Sequence, residues 1–207
     1  MNFSFLLIIS FLGGGGVLTP DAGNFELGGF VNFSMFETNL KDKTPASSLS
    51  LSAKFGYSPS DKILIYGFSG VRTFSPLDPI PTLNQFGIGA KTSLLDKKRT
   101  VNINIDGNME ILPFLKKTDR KRFPNAILWQ ISPNLSFKLA YSIIYVGSGY
   151  RDFYIKLENG ENMKSRKDSI FFVFVGGDYH LNPETYITVE LHSFGQSSIF
   201  GGISHRF

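Results

Sequence analysis

Apolar side chains recur at every second position in ten separate runs of the chain. The fifth run is the clearest: Val101, Ile103, Ile105, Met109 and Ile111 alternate with Asn102, Asn104, Asp106, Asn108 and Glu110. Successive side chains of an extended strand point to opposite faces, so this spacing predicts a strand between an apolar and a polar neighbour. A slip of one residue would turn all five polar groups to the wrong side, which fixes the register.

The same alternation predicts a first strand over 25–36, with Phe25, Leu27, Gly29, Val31, Phe33 and Met35 on the apolar face. A second over 48–57 sets Leu49, Leu51, Ala53, Phe55 and Tyr57 against Ser48, Ser50, Ser52 and Lys54. In the third, 62–74, Leu64, Tyr66 and Phe68 read as the outer face, though the opposite register fits almost as well. The fourth, 85–95, places Phe86, Ile88, Ala90 and Leu94 opposite Gln85, Lys91 and Ser93. The sixth and seventh read as 125–132 and 135–146, the latter with Phe137, Leu139, Tyr141, Ile143 and Tyr145 outward. Runs at 169–181 and 185–193 and the closing stretch Ser197–Phe207 complete the set.

The connections alternate long and short. The short ones are 58–61, 96–99, Ser132-Pro133-Asn134 and 182–184, and three of these four contain a proline, which suits a tight turn outside a ladder. The long ones cover 37–47, 75–84, 112–124 and 147–168, with a shorter last one near Gly195-Gln196. An even number of strands with short turns at one end and long loops at the other predicts a ten-stranded antiparallel transmembrane β-barrel. Eight or twelve strands and a soluble β-barrel are the alternative counts and setting. On the membrane reading, both termini and the short turns face the periplasm and the long loops face the cell exterior.

Composition separates the two settings. The polar faces carry Ser, Asn, Gly and Gln, with few of the Lys and Glu residues that coat a soluble surface. The sequence holds 21 Phe and 21 Gly but no Cys, so neither a disulfide framework nor a thiolate metal site is available. A net charge of +4 is mild and gives no sign of a nucleic-acid partner. Residues 3–12 form a short apolar run, too few to span a bilayer as a helix and about the length of a signal-peptide core. The expected layout is therefore a signal peptide over 1–22 and a barrel over 23–207, exported through the periplasm to the outer membrane of a Gram-negative bacterium.

The closing strand resembles the C-terminal strand of bacterial outer-membrane β-barrels, which ends in Phe with apolar residues at alternate positions before it; here Ile203 and Phe207 follow that pattern, and His205 stands between them where it usually has an aromatic. The segment Phe123-Pro124-Asn125-Ala126, and Ser132-Pro133-Asn134 followed by Leu-Ser-Phe-Lys-Leu, are similar to a family of outer-membrane β-barrel proteins with no known reaction. The resemblance implies that the barrel-assembly machinery reads the closing strand and that outer-membrane lipid surrounds a monomer.

Candidate chemistry lies on the polar faces. The expected lumen charges are Glu26, Lys54, Lys91, Asp106, Glu110, Lys138, Asp178, His180, Glu190, His192 and Arg206. Acids and bases nearly balance, which predicts an internal ion-pair network filling a narrow tube, since each buried charge needs a partner. The alternative is a narrow path for ions or small polar solutes. Glu190 with His192, and Asp178 with His180, share faces as a general base and its carboxylate would. However, His192 and Ser193 are adjacent and so point to opposite faces, which breaks the His–Ser arrangement of a barrel lipid hydrolase; no catalytic residue, cofactor or metal is expected. In the long loops, Lys116, Lys117, Arg120, Lys121 and Arg122 form a basic cluster suited to lipopolysaccharide phosphates, with Lys41, Lys43, Lys164, Arg166 and Lys167 in neighbouring loops. Residues Asp152–Leu157, followed by Asn159-Gly160, predict a hairpin ribbon projecting from the barrel with an exposed edge.

Overall fold

The computed structural model describes residues 19–36, 46–75, 82–96, 98–112, 126–156, 162–164, 170–194 and 196–207. Its strands are β1 (Phe25–Phe36), β2 (Ala46–Ser60), β3 (Ile63–Ser75), β4 (Thr82–Ser93), β5 (Val101–Leu112), β6 (Ala126–Lys138), β7 (Ser142–Lys156), β8 (Asn162–Lys164), β9 (Phe171–His180), β10 (Thr185–Ser193) and β11 (Gln196–Arg206). Each long strand pairs antiparallel with its sequence neighbour, and β1 pairs with β11 from Glu26↔Arg206 to Phe36↔Gln196. Ten strands thus close into a barrel with no free edge in its wall. The three-residue β8 pairs with the far end of β7, beyond the β7–β9 ladder.

The faces are inverted relative to a soluble protein. On β5, Val101 and Ile103 are 38% and 40% exposed, whereas Asn102 and Asn104 are 2% and 0% exposed. Leu27, Leu51, Phe55, Ile65, Ile88, Ile131, Val175, Val189 and Ile203 continue the exposed apolar belt around the outside. Alternation that places hydrocarbon outward and amides inward is stable where the surroundings are lipid, and a soluble barrel requires the reverse. At the long-loop rim Trp129 packs against Tyr150 with ring centroids 5.0 Å apart. Tyr57, Tyr179 and Phe207 are exposed at the short-turn rim, as expected of aromatic girdles at the two interfaces. Met35, on the outward parity of β1, is buried.

Two sequence expectations change. Pro133 is not in a turn. β6 runs through it, and the reversal lies at Leu139–Tyr141, where the Leu139 N–H donates to the Ser142 carbonyl at 2.8 Å. The proline is accommodated because it points outward and the β6–β7 ladder is interrupted beside it, between Ile131↔Tyr150 and Asn134↔Gly147. Moving the turn flips the parity of β7, so Ile143 and Tyr145 face inward at 2% and 1% exposure. In β3, Leu64, Tyr66 and Phe68 are the inner face and Ile63, Ile65 and Val71 the outer one. The hairpin expected from Asp152–Leu157 is present as β7 paired with β8, from Tyr154↔Lys164 to Lys156↔Asn162. Asn159 and Gly160 lie outside the described residues.

Six of the aromatic side chains that enter the lumen do so opposite glycine. Tyr66 pairs across the ladder with Gly89, Phe68 with Gly87, Phe30 with Gly202, Phe172 with Gly149, Phe174 with Gly147, and Tyr145 with Gly176. A Cβ built on Gly202 would meet the Phe30 ring at 2.0 Å, and one on Gly87 the Phe68 ring at 2.1 Å. The ring lies flat over the neighbouring strand in the volume the missing side chain leaves, so glycine here serves close approach and not a turn.

Candidate functional site

These glycine-seated rings divide the lumen interior. Phe30, Leu64, Tyr66, Phe68 and Phe200 form one buried cluster, with Phe30 and Phe200 stacked at 5.0 Å. Ile143, Tyr145, Phe172 and Phe174 form another on the opposite wall. The polar groups fill the space between and beyond them.

Near the short-turn end, the Glu26 carboxylate receives Lys54 Nζ at 2.6 Å from β2 and Arg206 Nε at 3.4 Å from β11. The Lys54 ammonium also lies 5.2 Å from the Phe30 ring centre and 5.4 Å from that of Tyr66, and Arg206 lies 4.6 Å from that of Tyr186. Such contacts with ring faces stabilise a cation withdrawn from water. Further in, Lys91 lies 3.7 Å from Asp106, its direct cross-strand partner. The Tyr66 hydroxyl donates to Asp106 Oδ1 at 2.7 Å and accepts from Asn108 Nδ2 at 3.4 Å. An amide ladder adjoins this group: Ser93 Oγ donates to Asn104 Oδ1 at 2.8 Å, and Asn104 Nδ2 donates to Asn134 Oδ1 at 3.0 Å.

On the other wall, Thr188 Oγ1 donates to Asp178 Oδ1 at 2.7 Å and Tyr145 donates to Glu190 Oε2 at 2.9 Å. Glu190 also bonds His192, which contacts Arg151. Near the long-loop end, Arg72 and Glu110, both 0% exposed, form a two-pronged pair with Nε–Oε1 at 2.9 Å and Nη2–Oε2 at 3.0 Å. Arg72 further donates to Ser48 Oγ at 3.2 Å and Gln85 Oε1 at 3.3 Å. Among the described residues, the acids Glu26, Asp106, Glu110, Asp178 and Glu190 face the cations Lys54, Arg72, Lys91, Arg151 and Arg206, five against five. A buried charge costs several kcal/mol unless a partner with good geometry offsets it, so this balance is what permits so polar an interior.

Of the residues singled out from sequence, Glu26, Lys54, Lys91, Asp106, Glu110, Asp178, Glu190 and His192 are buried in the lumen. His180 and Arg206 are half-buried at its short-turn mouth. Lys138 is a correction: it is exposed, because β6 ends there and its side chain lines an open recess of about 450 Å³ with Lys98, Glu184 and Arg206. Ser193 is exposed on the face opposite His192. Ile203 and Phe207 point outward, and His205, between them, has Nδ1 2.9 Å from Thr185 Oγ1. Lys116, Lys117, Arg120, Lys121 and Arg122 lie outside the described residues, as do Lys41, Lys43, Arg166, Lys167 and residues 1–18. Lys164 falls within β8.

Arg72 and Arg151 are lumen residues that alternation alone did not reveal. Arg72 was hidden by the inverted register of β3, and Arg151 by ending its strand too early. Glycine positions were the available signal: Gly87 and Gly89 alternate on β4 and Gly147 and Gly149 on β7, each marking where a neighbouring ring must face inward.

Closed wall, apolar outside and ion-paired interior together define a transmembrane β-barrel of the outer-membrane type. No protein-family model matches the chain, and no curated protein matches it in sequence. Among solved structures it is similar to Neisserial surface protein A, NspA, at a TM-score of 0.44 and 12% identity over 89% of this chain and 99% of that one. It is similar to the outer membrane protein OprG from Pseudomonas aeruginosa at 0.41 and 10%, over 93% and 99%. With the translocator domain of the autotransporter NalP from Neisseria meningitidis the values are 0.49 and 10%, over 93% and 91%.

Proposed function

We propose that this chain is a bacterial outer-membrane barrel with a closed lumen whose role is structural or interactive at the cell surface. The observation that carries the reading is the interior itself: five acids matched by five cations, seated among aromatic rings packed on glycine. A conducting pore needs ions to enter and leave, and side chains already bound to one another leave few free charges to receive them. The outer face supplies the anchor and the long-loop end the interaction surface. There the basic loop residues Lys116, Lys117, Arg120, Lys121 and Arg122 would meet lipopolysaccharide phosphates. The closing residues Ile203, His205 and Phe207 would be read during assembly by the barrel-insertion machinery, with the chain exported through the periplasm and left as a monomer.

The full-length protein, purified and inserted into a planar bilayer at neutral pH, is expected to be silent. Discrete conductance steps, altered in ion selectivity by Lys91→Ala, would instead assign it a narrow channel.

A further inference from the structure

Tyr145, Arg151, Glu190 and His192 form a chain of hydrogen bonds whose directions are fixed. A guanidinium only donates, so Arg151 Nη2, 3.2 Å from His192 Nδ1, places a lone pair on that nitrogen. The single ring proton therefore sits on Nε2 and is donated to Glu190 Oε1, while Glu190 Oε2 accepts from Tyr145. The imidazole packs against Phe172, at 5.1 Å and 7°, and Phe174, at 5.3 Å and 29°, two rings that themselves lie 5.8 Å apart. Arg151 is stacked in turn on Phe172, its guanidinium carbon 3.9 Å from the ring centre.

The groups facing His192 come from four strands: Arg151 from β7, the two Phe rings from β9, Glu190 from its own β10, and Ser198, its cross-strand partner, from β11. Tyr145 and the charges of Lys91 and Asp106 act on Glu190. Among the described residues, Glu190 is thus the one carboxylate in contact with the ring.

We propose that this cluster is an acid-sensitive latch on the β7–β9–β10 wall of the lumen. A second proton enters the ring only at Nδ1, where Arg151 now donates. It would set an N–H against an N–H and two cations side by side in a water-poor interior, where their repulsion is far stronger than in solvent. Acid therefore drives Arg151 off the ring and off Phe172, and releases the contact that ties β7 to β10. The unfolded chain takes the same proton freely below about pH 6.5, so stability held by the latch is present at neutral pH and is lost as pH falls. The inference rests on the lumen geometry and holds whichever role the outer surface serves.

The test compares the folded full-length chain in detergent micelles with its His192→Gln variant. Glutamine offers an oxygen to Arg151 and an N–H to Glu190 but cannot take the second proton. Between pH 7.5 and pH 5.5 the wild-type thermal midpoint should fall by about 4 °C or more beyond any fall in the variant. His180 and His205 are retained in both and serve as the internal control. Nitrogen-15 histidine spectra of the wild type at pH 7.5 should show His192 neutral with its proton on Nε2. An equal fall in both proteins, or a His192 that is doubly protonated or carries its proton on Nδ1 at pH 7.5, would overturn the proposal. Should the variant fail to fold, the wild-type spectrum alone decides.

Discussion

Arg72→Ala is expected to cost about 3–5 kcal/mol of folding stability, because it strands the Glu110 carboxylate in a water-poor interior. The pair is two-pronged and fully buried, and Ser48 and Gln85 lose a donor with it. Urea unfolding of the protein in lipid vesicles, followed by heat-modifiable gel mobility, measures the loss. Removing both charges together separates desolvation from attraction. An Arg72→Met, Glu110→Leu double variant should recover most of the stability, since paired burial of ions often does no better than apolar replacement of similar volume. A single-variant loss below about 1 kcal/mol would be the value of a solvated surface pair. It would mean that water reaches the long-loop end of the lumen.

The second large effect is expected on the outside. Val189 lies midway along β10, half exposed, with Gly177 and Gly201 as its cross-strand partners. Val189→Arg should destabilise the vesicle-inserted protein by about 2–4 kcal/mol, the range for a cation facing lipid at the bilayer midplane. The flanking glycines leave room for the side chain, so the cost comes from the medium and not from crowding. At a water-exposed position the same change would stay within about 0.5 kcal/mol. The two outcomes are far enough apart for an ordinary denaturant titration to resolve.

The architecture was legible wherever one face was uniformly apolar and the other uniformly polar. β5 reads directly, because Asn102 to Glu110 tolerate only one register. β1 and β10 match their expected spans for the same reason. Legibility failed where large apolar side chains enter the lumen. In β3 both faces are apolar, with Leu64, Tyr66 and Phe68 inward and Ile63, Ile65 and Val71 outward, so alternation carries no sign. The ring–glycine pairing across to β4 resolves it, but that is a relation between two strands and is visible only once they are aligned. Pro133 misled for a different reason. Proline in a strand is usually a boundary, yet here the neighbouring ladder gives way around it.

The candidate site followed the same division. Lys91 with Asp106 and Glu26 with Arg206 are direct cross-strand partners and could be expected from strand faces and neighbours. The latch residues Tyr145 and Arg151 could not, because they depend on the true start and end of β7. That same shift places Tyr150 beside Trp129 at the rim and Tyr145 in the lumen. Charges on the long loops are a composition signal without geometry, and the fold assigns them no role.

The sequence contains no cysteine, so a single introduced thiol can be labelled without background. The most direct test places a spin label at residue 103 in one protein and at residue 104 in another, both reconstituted in lipid vesicles. Collision with oxygen, which concentrates in hydrocarbon, should be frequent at 103 and suppressed at 104, with neither label freely reached by a water-soluble nickel complex. Oxygen access at 104 and nickel access at 103 would contradict the inside-out arrangement from which every other conclusion here follows.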